Sequence, residues 1–218
     1  MPKYECAVFD LDGTTLDTLD DLTCAVNHAM AAVGRAPHDR LAVRRMVSNG
    51  VALLIRRALG EDAPDALVEA ALADFRAFYA AHIDVHTREY PGITPMLRQL
   101  KAADVKLCVC SNKFNSAVQT LIEAHFPSLF DAVIGEGDSI PKKPAPEGTL
   151  HVIQMAGADP AHTCYVGDSP VDFQTARNAQ LPCLSVTWGF ADRDALAALQ
   201  PDALCDSADA LARAILGE

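Results

Sequence analysis

Val8-Phe9-Asp10-Leu11-Asp12-Gly13-Thr14 follows directly on an apolar run that begins at Tyr4. Tyr4 to Phe9 reads as a short buried strand, and Gly13 lets the backbone turn sharply just beyond it, so Asp10 and Asp12 are presented at the strand's carboxyl end. Open α/β sheets build their sites at that end. Two carboxylates one residue apart suit a metal combined with covalent chemistry: one attacks an electrophile while a divalent cation offsets charge, and the other moves protons. The same letters also open calcium loops. A twelve-residue loop of that kind wants an acid or amide at its fifth place, glycine at its sixth and glutamate at its twelfth, where this chain has Thr14, Thr15 and Asp21. A capped turn without chemistry is the plainer alternative.

Further apolar runs resemble the first, each closed by a polar or glycine-containing turn: Val105 to Cys110, Ala132 to Ile134, Thr163 to Val166, Cys183 to Val186 and Ala203 to Cys205. Helical patterns lie between most of them, with apolar positions three and four apart in Ser116 to Ala124, Thr149 to Met155 and Asp172 to Ala179. This alternation predicts an α/β fold with a doubly wound parallel sheet. The stretch from Leu19 to Arg88 breaks it, because its apolar spacing is helical throughout: Ala25, Val26, Ala29 and Met30 form one stripe, Val51, Leu54, Ile55, Ala58 and Leu59 a second, and Val68, Ala71, Leu72, Phe75, Phe78 and Tyr79 a third. It is too long for a loop. The expected organisation is a Rossmann-like core of residues 1–16 and 89–218 with a helical cap domain, residues 17–88, inserted after the first strand.

The chain of 218 residues is 50% hydrophobic and 22% charged, an ordinary balance for a folded domain with a sizeable core. There is no basic N-terminal region followed by an apolar stretch, and no uninterrupted apolar segment approaches the ~20 residues that span a bilayer, so a cytoplasmic location is expected. A net charge of −11 argues against nucleic acid and anionic membranes as partners. It does not exclude a small anionic substrate if cations gather locally. Seven cysteines at irregular spacing read as reduced core thiols. Cys108 and Cys110 are read as facing opposite sides of a strand, which disfavours a metal clamp.

Three other strand ends add chemistry. Ser111-Asn112-Lys113 places a hydroxyl and backbone N–H groups where phosphate can be cradled, although a strand followed by Ser-Asn also simply caps helices. Lys142-Lys143-Pro144-Ala145-Pro146 holds lysines on a segment stiffened by proline, against which stands a solvated basic turn. Gly167-Asp168-Ser169-Pro170-Val171-Asp172 ends another apolar strand with an acid and starts a helix with a second one. In a sheet whose chain begins in the middle, the first and the returning strand are neighbours at the switch point, so Asp168 is expected beside Asp10, with magnesium held by few carboxylates plus substrate phosphate.

These residues resemble the four motifs of the haloacid dehalogenase-like hydrolases: Asp10-Leu11-Asp12-Gly13-Thr14 the first, Ser111 the second, Lys143 the third, and Gly167-Asp168-Ser169 with Asp172 the fourth. Within that family, Val47-Ser48-Asn49-Gly50, Lys143-Pro144-Ala145-Pro146-Glu147-Gly148 and Val186-Thr187-Trp188-Gly189-Phe190 are similar to the phosphoglycolate phosphatase branch. Thr15 departs from the apolar residue usual there, and Ser48 from a common glycine. The resemblance implies a magnesium-dependent phosphatase of small phosphomonoesters, phosphoglycolate foremost. Asp10 is then the nucleophile that forms an aspartyl phosphate and Asp12 the acid and base. Ser111, Asn112 and Lys143 are the phosphate holders. Asp10, the Asp12 carbonyl and Asp168 are the metal ligands, and Asp172 supports a metal-bound water or Lys143. Ser48, Asn49 and Gly50 are the cap residues expected to meet substrate; Arg44, Arg45 and Arg56 are possible carboxylate anchors that also read as solvated helix arginines. Alternatives are a phosphomutase of the β-phosphoglucomutase type, or a phosphatase of pyrophosphate, nucleotides or sugar phosphates. A dehalogenase does not need Asp12, a phosphonate hydrolase needs a cap lysine that residues 12–88 lack, and a non-catalytic scaffold has no need to keep Asp10 and Lys143. A monomer or homodimer is expected.

Overall fold

A computed structural model describes residues 2–47, 50–137 and 140–218. The chain divides into two compact units, one of Met1–Leu16 with Glu89–Glu218 and one of Asp17–Arg88. The first is a six-stranded sheet made of β1 (Cys6–Phe9), β4 (Lys106–Phe114), β5 (Ala132–Glu136), β6 (Thr163–Gly167), β7 (Cys183–Val186) and β8 (Ala203–Cys205). Its order is β5-β4-β1-β6-β7-β8, and the pairs are parallel. The strand made first therefore lies in the middle. All four β1 side chains are buried, as a parallel strand covered on both faces requires. Helices α5 (Ile93–Ala102), α6 (Asn115–His125), α7 (Glu147–Met155), α8 (Pro170–Asn178), α9 (Arg193–Ala198) and α10 (Ala208–Leu216) connect or follow the strands.

β4 runs past its expected end at Cys110. Pairing with β5 shifts register after Cys110↔Ile134 and resumes at Phe114↔Glu136, so Ser111, Asn112 and Lys113 sit on an irregular segment of strand beyond the end of β1. The expectation that Cys108 and Cys110 face opposite sides is overturned. Both belong to one buried cluster with Cys6, Val8, Val152 and Tyr165, because residues two apart on a strand share a face. All the cysteines are free, and of them only Cys24 is exposed.

The second unit contains α1 (Leu19–Ala32), α2 (Arg40–Met46), α3 (Val51–Leu59) and α4 (Asp65–Ala81), with α1 packed on α4, α2 and α3. Its core follows the stripes in the sequence: Ala25, Val26, Ala29 and Met30, then Leu54, Ile55 and Ala58, then Val68, Ala71, Phe75 and Tyr79 are buried. Leu72 and Phe78 of the third stripe are only half-buried. Where the chain leaves and rejoins the sheet unit, β2 (Leu16–Asp17) and β3 (Arg88–Glu89) form a two-stranded sheet. Among the described residues no helix is long and apolar enough to cross a membrane.

Asp21 explains why this unit closes. Its buried carboxylate accepts N–H bonds from Val85, His86 and Thr87 at 2.8–3.1 Å and the Thr87 hydroxyl at 2.8 Å. The residue in the twelfth place of a would-be calcium loop is thus spent on the unit's own exit loop. Because Asp21→Ala removes the buried acceptor shared by three backbone N–H groups of a largely exposed loop, urea unfolding is expected to show a loss of about 1–3 kcal/mol. A loss below about 0.5 kcal/mol would show the loop to be held by other contacts.

Candidate active site

The site is built at the carboxyl ends of β1, β4 and β6. The β1 ladder outlasts the strand by one residue, since the Asp10 N–H donates to Val166 O at 2.9 Å. After it the chain curls on itself: the N–H groups of Thr15 and Leu16 both donate to Leu11 O, with Gly13 at φ 84°. Asp168 follows β6 directly, next to Asp10, as the neighbouring register of Phe9 and Val166 demands. Asp172 is placed by a capping box at the start of α8. The Ser169 hydroxyl accepts the Asp172 N–H at 3.3 Å, while Asp172 Oδ2 accepts the Ser169 N–H at 3.1 Å and its O–H at 2.5 Å.

Lys143 lies among these acids. Its buried ammonium donates to Asp172 Oδ1 at 2.7 Å and stands 2.8 Å from Asp10 Oδ1. The second contact is an ion pair off the line of a hydrogen bond, so Asp10 Oδ1 is buried without a hydrogen-bond donor among the described residues. Burial alone would lower the Lys143 pKa, but Asp10 and Asp172 hold it well above its ordinary value. The lysine backbone is fixed by Asn112, whose side chain accepts the Lys143 N–H at 2.7 Å and donates to its carbonyl at 3.1 Å. The Asn112 side chain thus serves Lys143, which leaves its backbone N–H as the group for the expected phosphate contact. Ser111 is buried, and its Oγ accepts the Lys113 N–H at 3.3 Å, which leaves the hydroxyl proton to donate. Ser111, Asn112, Lys142 and Lys143 line a shared pocket, but Lys142 is paired with Glu136 at 2.7 Å.

Ligand oxygens of Asp10, Asp168 and Asp172 all lie within 4.8 Å of one another. Burial, then repulsion by Asp172 and Asp10, pushes Asp168 well above the carboxylate range, against the pull of the Phe190 N–H and the Thr14 hydroxyl. Burial likewise takes Asp10 to about 7, with Lys143 opposing the rise and Asp172 and Asp12 adding to it. Fully ionised, these three buried carboxylates would carry two negative charges more than Lys143 offsets. An all-oxygen donor set, the orphaned Asp10 oxygen and that imbalance fit a hard divalent cation. Asp172 comes closer to this cluster than a supporting role required, yet its oxygens are already engaged by Lys143, Ser169 and Tyr165. Asp10 and Asp168 have the greater capacity for a cation. The Asp12 side chain does not join them; it turns to Lys113.

Several contributors escaped the sequence reading. The loop after β7 folds over Asp168, whose Oδ2 accepts the Phe190 N–H at 2.6 Å, while the Trp188 indole N–H donates to Thr14 O at 3.0 Å. A Cβ at Gly189 would stand 2.3 Å from the Asp168 side chain, and one at Gly13 would do the same from the other side. Tyr165, buried beneath Lys143, donates to Asp172 Oδ1 at 3.2 Å. The Trp188-Gly189-Phe190 run was visible as a motif, but its closeness to Asp168 has no local signal. Of the expected cap residues, Ser48 and Asn49 lie outside the described residues, and Gly50 is the N-cap of α3 with φ 90°. Arg56 is spent on Asp65 and the Ala63 carbonyl, and Arg44 and Arg45 close α2.

The sequence profile of the haloacid dehalogenase-like hydrolases matches residues 7–186, the span that carries all four strand-end motifs. The chain belongs to the haloacid dehalogenase-like hydrolase family. It is 38% identical over 211 residues to a phosphoglycolate phosphatase of Pseudomonas putida, covering 94% of this chain and 77% of that one. To a phosphoglycolate phosphatase of Agrobacterium fabrum it is 35% identical, covering 98% and 93%. Among solved structures it is similar to CbbY from Rhodobacter sphaeroides in complex with phosphate, with a TM-score of 0.74, 26% identity, and 99% and 100% of the two chains covered. A predicted phosphoglycolate phosphatase from Haemophilus somnus superposes with a TM-score of 0.89 at 26% identity, covering 98% and 99%.

The haloacid dehalogenase-like site makes a testable demand on pH. A carboxyl raised from 3.8 to about 7 binds its proton more tightly when folded. The stability Asp10 contributes is therefore complete below pH 4 and is lost as pH rises through 7, about 4 kcal/mol in all. A divalent cation held by these carboxylates would offset that loss. Thermal melts of metal-free protein with and without magnesium should show a larger rise in Tm at pH 8 than at pH 5. An equal rise at both would mean that the ion does not bind these carboxylates.

Proposed function

We propose that the protein hydrolyses small phosphomonoesters through an aspartyl phosphate on Asp10, with phosphoglycolate as the preferred substrate. The observation that carries this reading is the Asp10 carboxylate: buried, aimed by the β1 ladder, with one oxygen lacking a hydrogen-bond donor beside the Lys143 ammonium. Asp10 attacks phosphorus as the bond to the leaving alkoxide breaks, and Asp12 gives that alkoxide its proton. Asp12 then takes a proton from water as the water attacks phosphorus and the bond to Asp10 breaks. Ser111 and Lys143 hold phosphoryl oxygens, and Asp172, gripped by its capping box, keeps Lys143 in place.

In this reading Asp10 and Asp168, with Asp172 near, hold magnesium. When bound, the ion offsets charge on the transferring phosphoryl group. Phosphoglycolate is favoured because the relatives above carry that activity in their names over nearly the whole chain. Free, mostly buried cysteines suit the reducing cytoplasm assigned to the enzyme.

The test is phosphate release with magnesium from phosphoglycolate, p-nitrophenyl phosphate, nucleoside monophosphates, pyrophosphate and sugar phosphates. Phosphoglycolate is expected to lead in kcat/KM by about tenfold or more, a margin of ~1.4 kcal/mol in transition-state binding. A sugar phosphate leading instead would move the assignment to that substrate class, and phosphoryl return to an added sugar phosphate would identify a mutase.

A further inference from the structure

Lys113 stands out as a buried cation that the chemistry above does not use. It lies on the irregular end of β4, two residues beyond Ser111 and on the same face, where strand alternation turns both inward. Its side chain is 3% exposed, and its ammonium lies 2.9 and 3.2 Å from the two oxygens of Asp12. Bringing an ammonium out of water is costly unless a well-placed carboxylate compensates it, so the fold spends a buried charge on where Asp12 rests. Asp10, Asp168 and Asp172 form one cluster, and the Asp12 side chain is not a member of it.

We propose that Lys113 is the positioning residue of Asp12: by gripping both carboxylate oxygens it keeps the acid/base group off the metal-binding cluster and aimed at the leaving-group and water positions. The inference rests on the phosphatase reading and adds to it a cation that holds the proton-transfer group. Rotation of the carboxylate towards the other acids has to break at least one of its two N–H···O contacts. Lys113 is in contact with Asp12, so its loss is expected to act through Asp12. The effect then follows how much a substrate needs its leaving group protonated.

The experiment compares wild type, Lys113→Met, Lys113→Arg, Asp12→Asn and the Asp12→Asn/Lys113→Met double variant on phosphoglycolate, an alkyl phosphate, and p-nitrophenyl phosphate, whose leaving group departs unaided. Lys113→Met is expected to lower kcat on phosphoglycolate about 10–100-fold with KM changed less than about threefold, and to lower kcat on the aryl ester only a few-fold. Lys113→Arg keeps a cation there and recovers part of the loss. In the Asp12→Asn background the second substitution changes the aryl rate less than about twofold, because the two residues act as a unit. Equal losses on both substrates, or a full loss repeated when Asp12 is already Asn, would make Lys113 a packing residue and overturn the proposal. If Lys113→Met does not fold, Lys113→Gln is put through the same comparison with the same criteria. Phosphate release absent from wild type on both esters defeats the phosphatase reading and this inference with it, whereas a normal wild type with indifferent variants defeats this inference alone.

Discussion

Asp10→Asn should abolish turnover, by at least about 10⁴-fold in kcat, and should leave the fold intact or firmer. The amide is nearly the shape of the carboxylate but a poor nucleophile. Asp10 is one of three buried carboxylates served by one ammonium, so neutralising it removes repulsion. At pH 8 without metal the variant is expected to melt a few degrees above wild type, since a shift of 1 kcal/mol moves Tm by about 2–4 °C in a chain of this size. Rapid-quench turnover and thermal melts check the two halves separately. Residual activity above about 1% would take the nucleophile role from Asp10. A large fall in Tm would mean that its charge is needed to hold Lys143.

Lys143→Met carries the opposite signature. Methionine preserves most of the stem's volume, but it strips the one ammonium that, among the described residues, is in contact with Asp10 and Asp172, leaving buried carboxylates uncompensated. Removing one partner of a buried ion pair costs about 3–5 kcal/mol. Urea unfolding at pH 8 should show a loss of that size, and one that shrinks as pH falls and the carboxylates take protons. Magnesium should return part of the stability and none of the activity, because a cation on the acids does not replace the donor that meets phosphoryl oxygen. A variant as stable as wild type at pH 8 would show that the acids are already neutral in the folded protein.

The parts of this molecule that were legible in the sequence are those dictated by local pattern. Apolar runs ending in Asp10 and Asp168 located two strand ends, and their adjacency followed from the order of a doubly wound sheet, seen as β1 beside β6. Three-and-four spacing located the buried stripes of the helical unit. What was not legible depends on contacts between distant segments. Ser111-Asn112-Lys113 reads as a strand-end phosphate cradle or a helix cap because nothing nearby announces that β4 continues to Phe114 after a shift in register. That the Asn112 side chain fixes the backbone of Lys143, 31 residues on, has no signal in the local sequence. The glycine at 189 is explained by the side chain of Asp168 and by nothing in its own neighbourhood. The reading of Cys108 and Cys110 failed for another reason, a misapplied strand period.

The central position of β1 bears on how the protein is born. Translation delivers the nucleophile strand first, yet Cys6 pairs with Lys106 on one side and Thr163 on the other, both made much later. Until those segments emerge from the ribosome, a fully apolar strand with open edges on both sides waits in the nascent chain. Such a strand is an aggregation hazard. The helical unit, Asp17–Arg88, is complete in sequence long before and rests on contacts within its own span, so it can gather while β1 is still unpaired. Assembly of the sheet, and with it the catalytic centre, is consequently a late event that waits for the returning strand, and a prematurely terminated chain carries the nucleophile without anything to activate it.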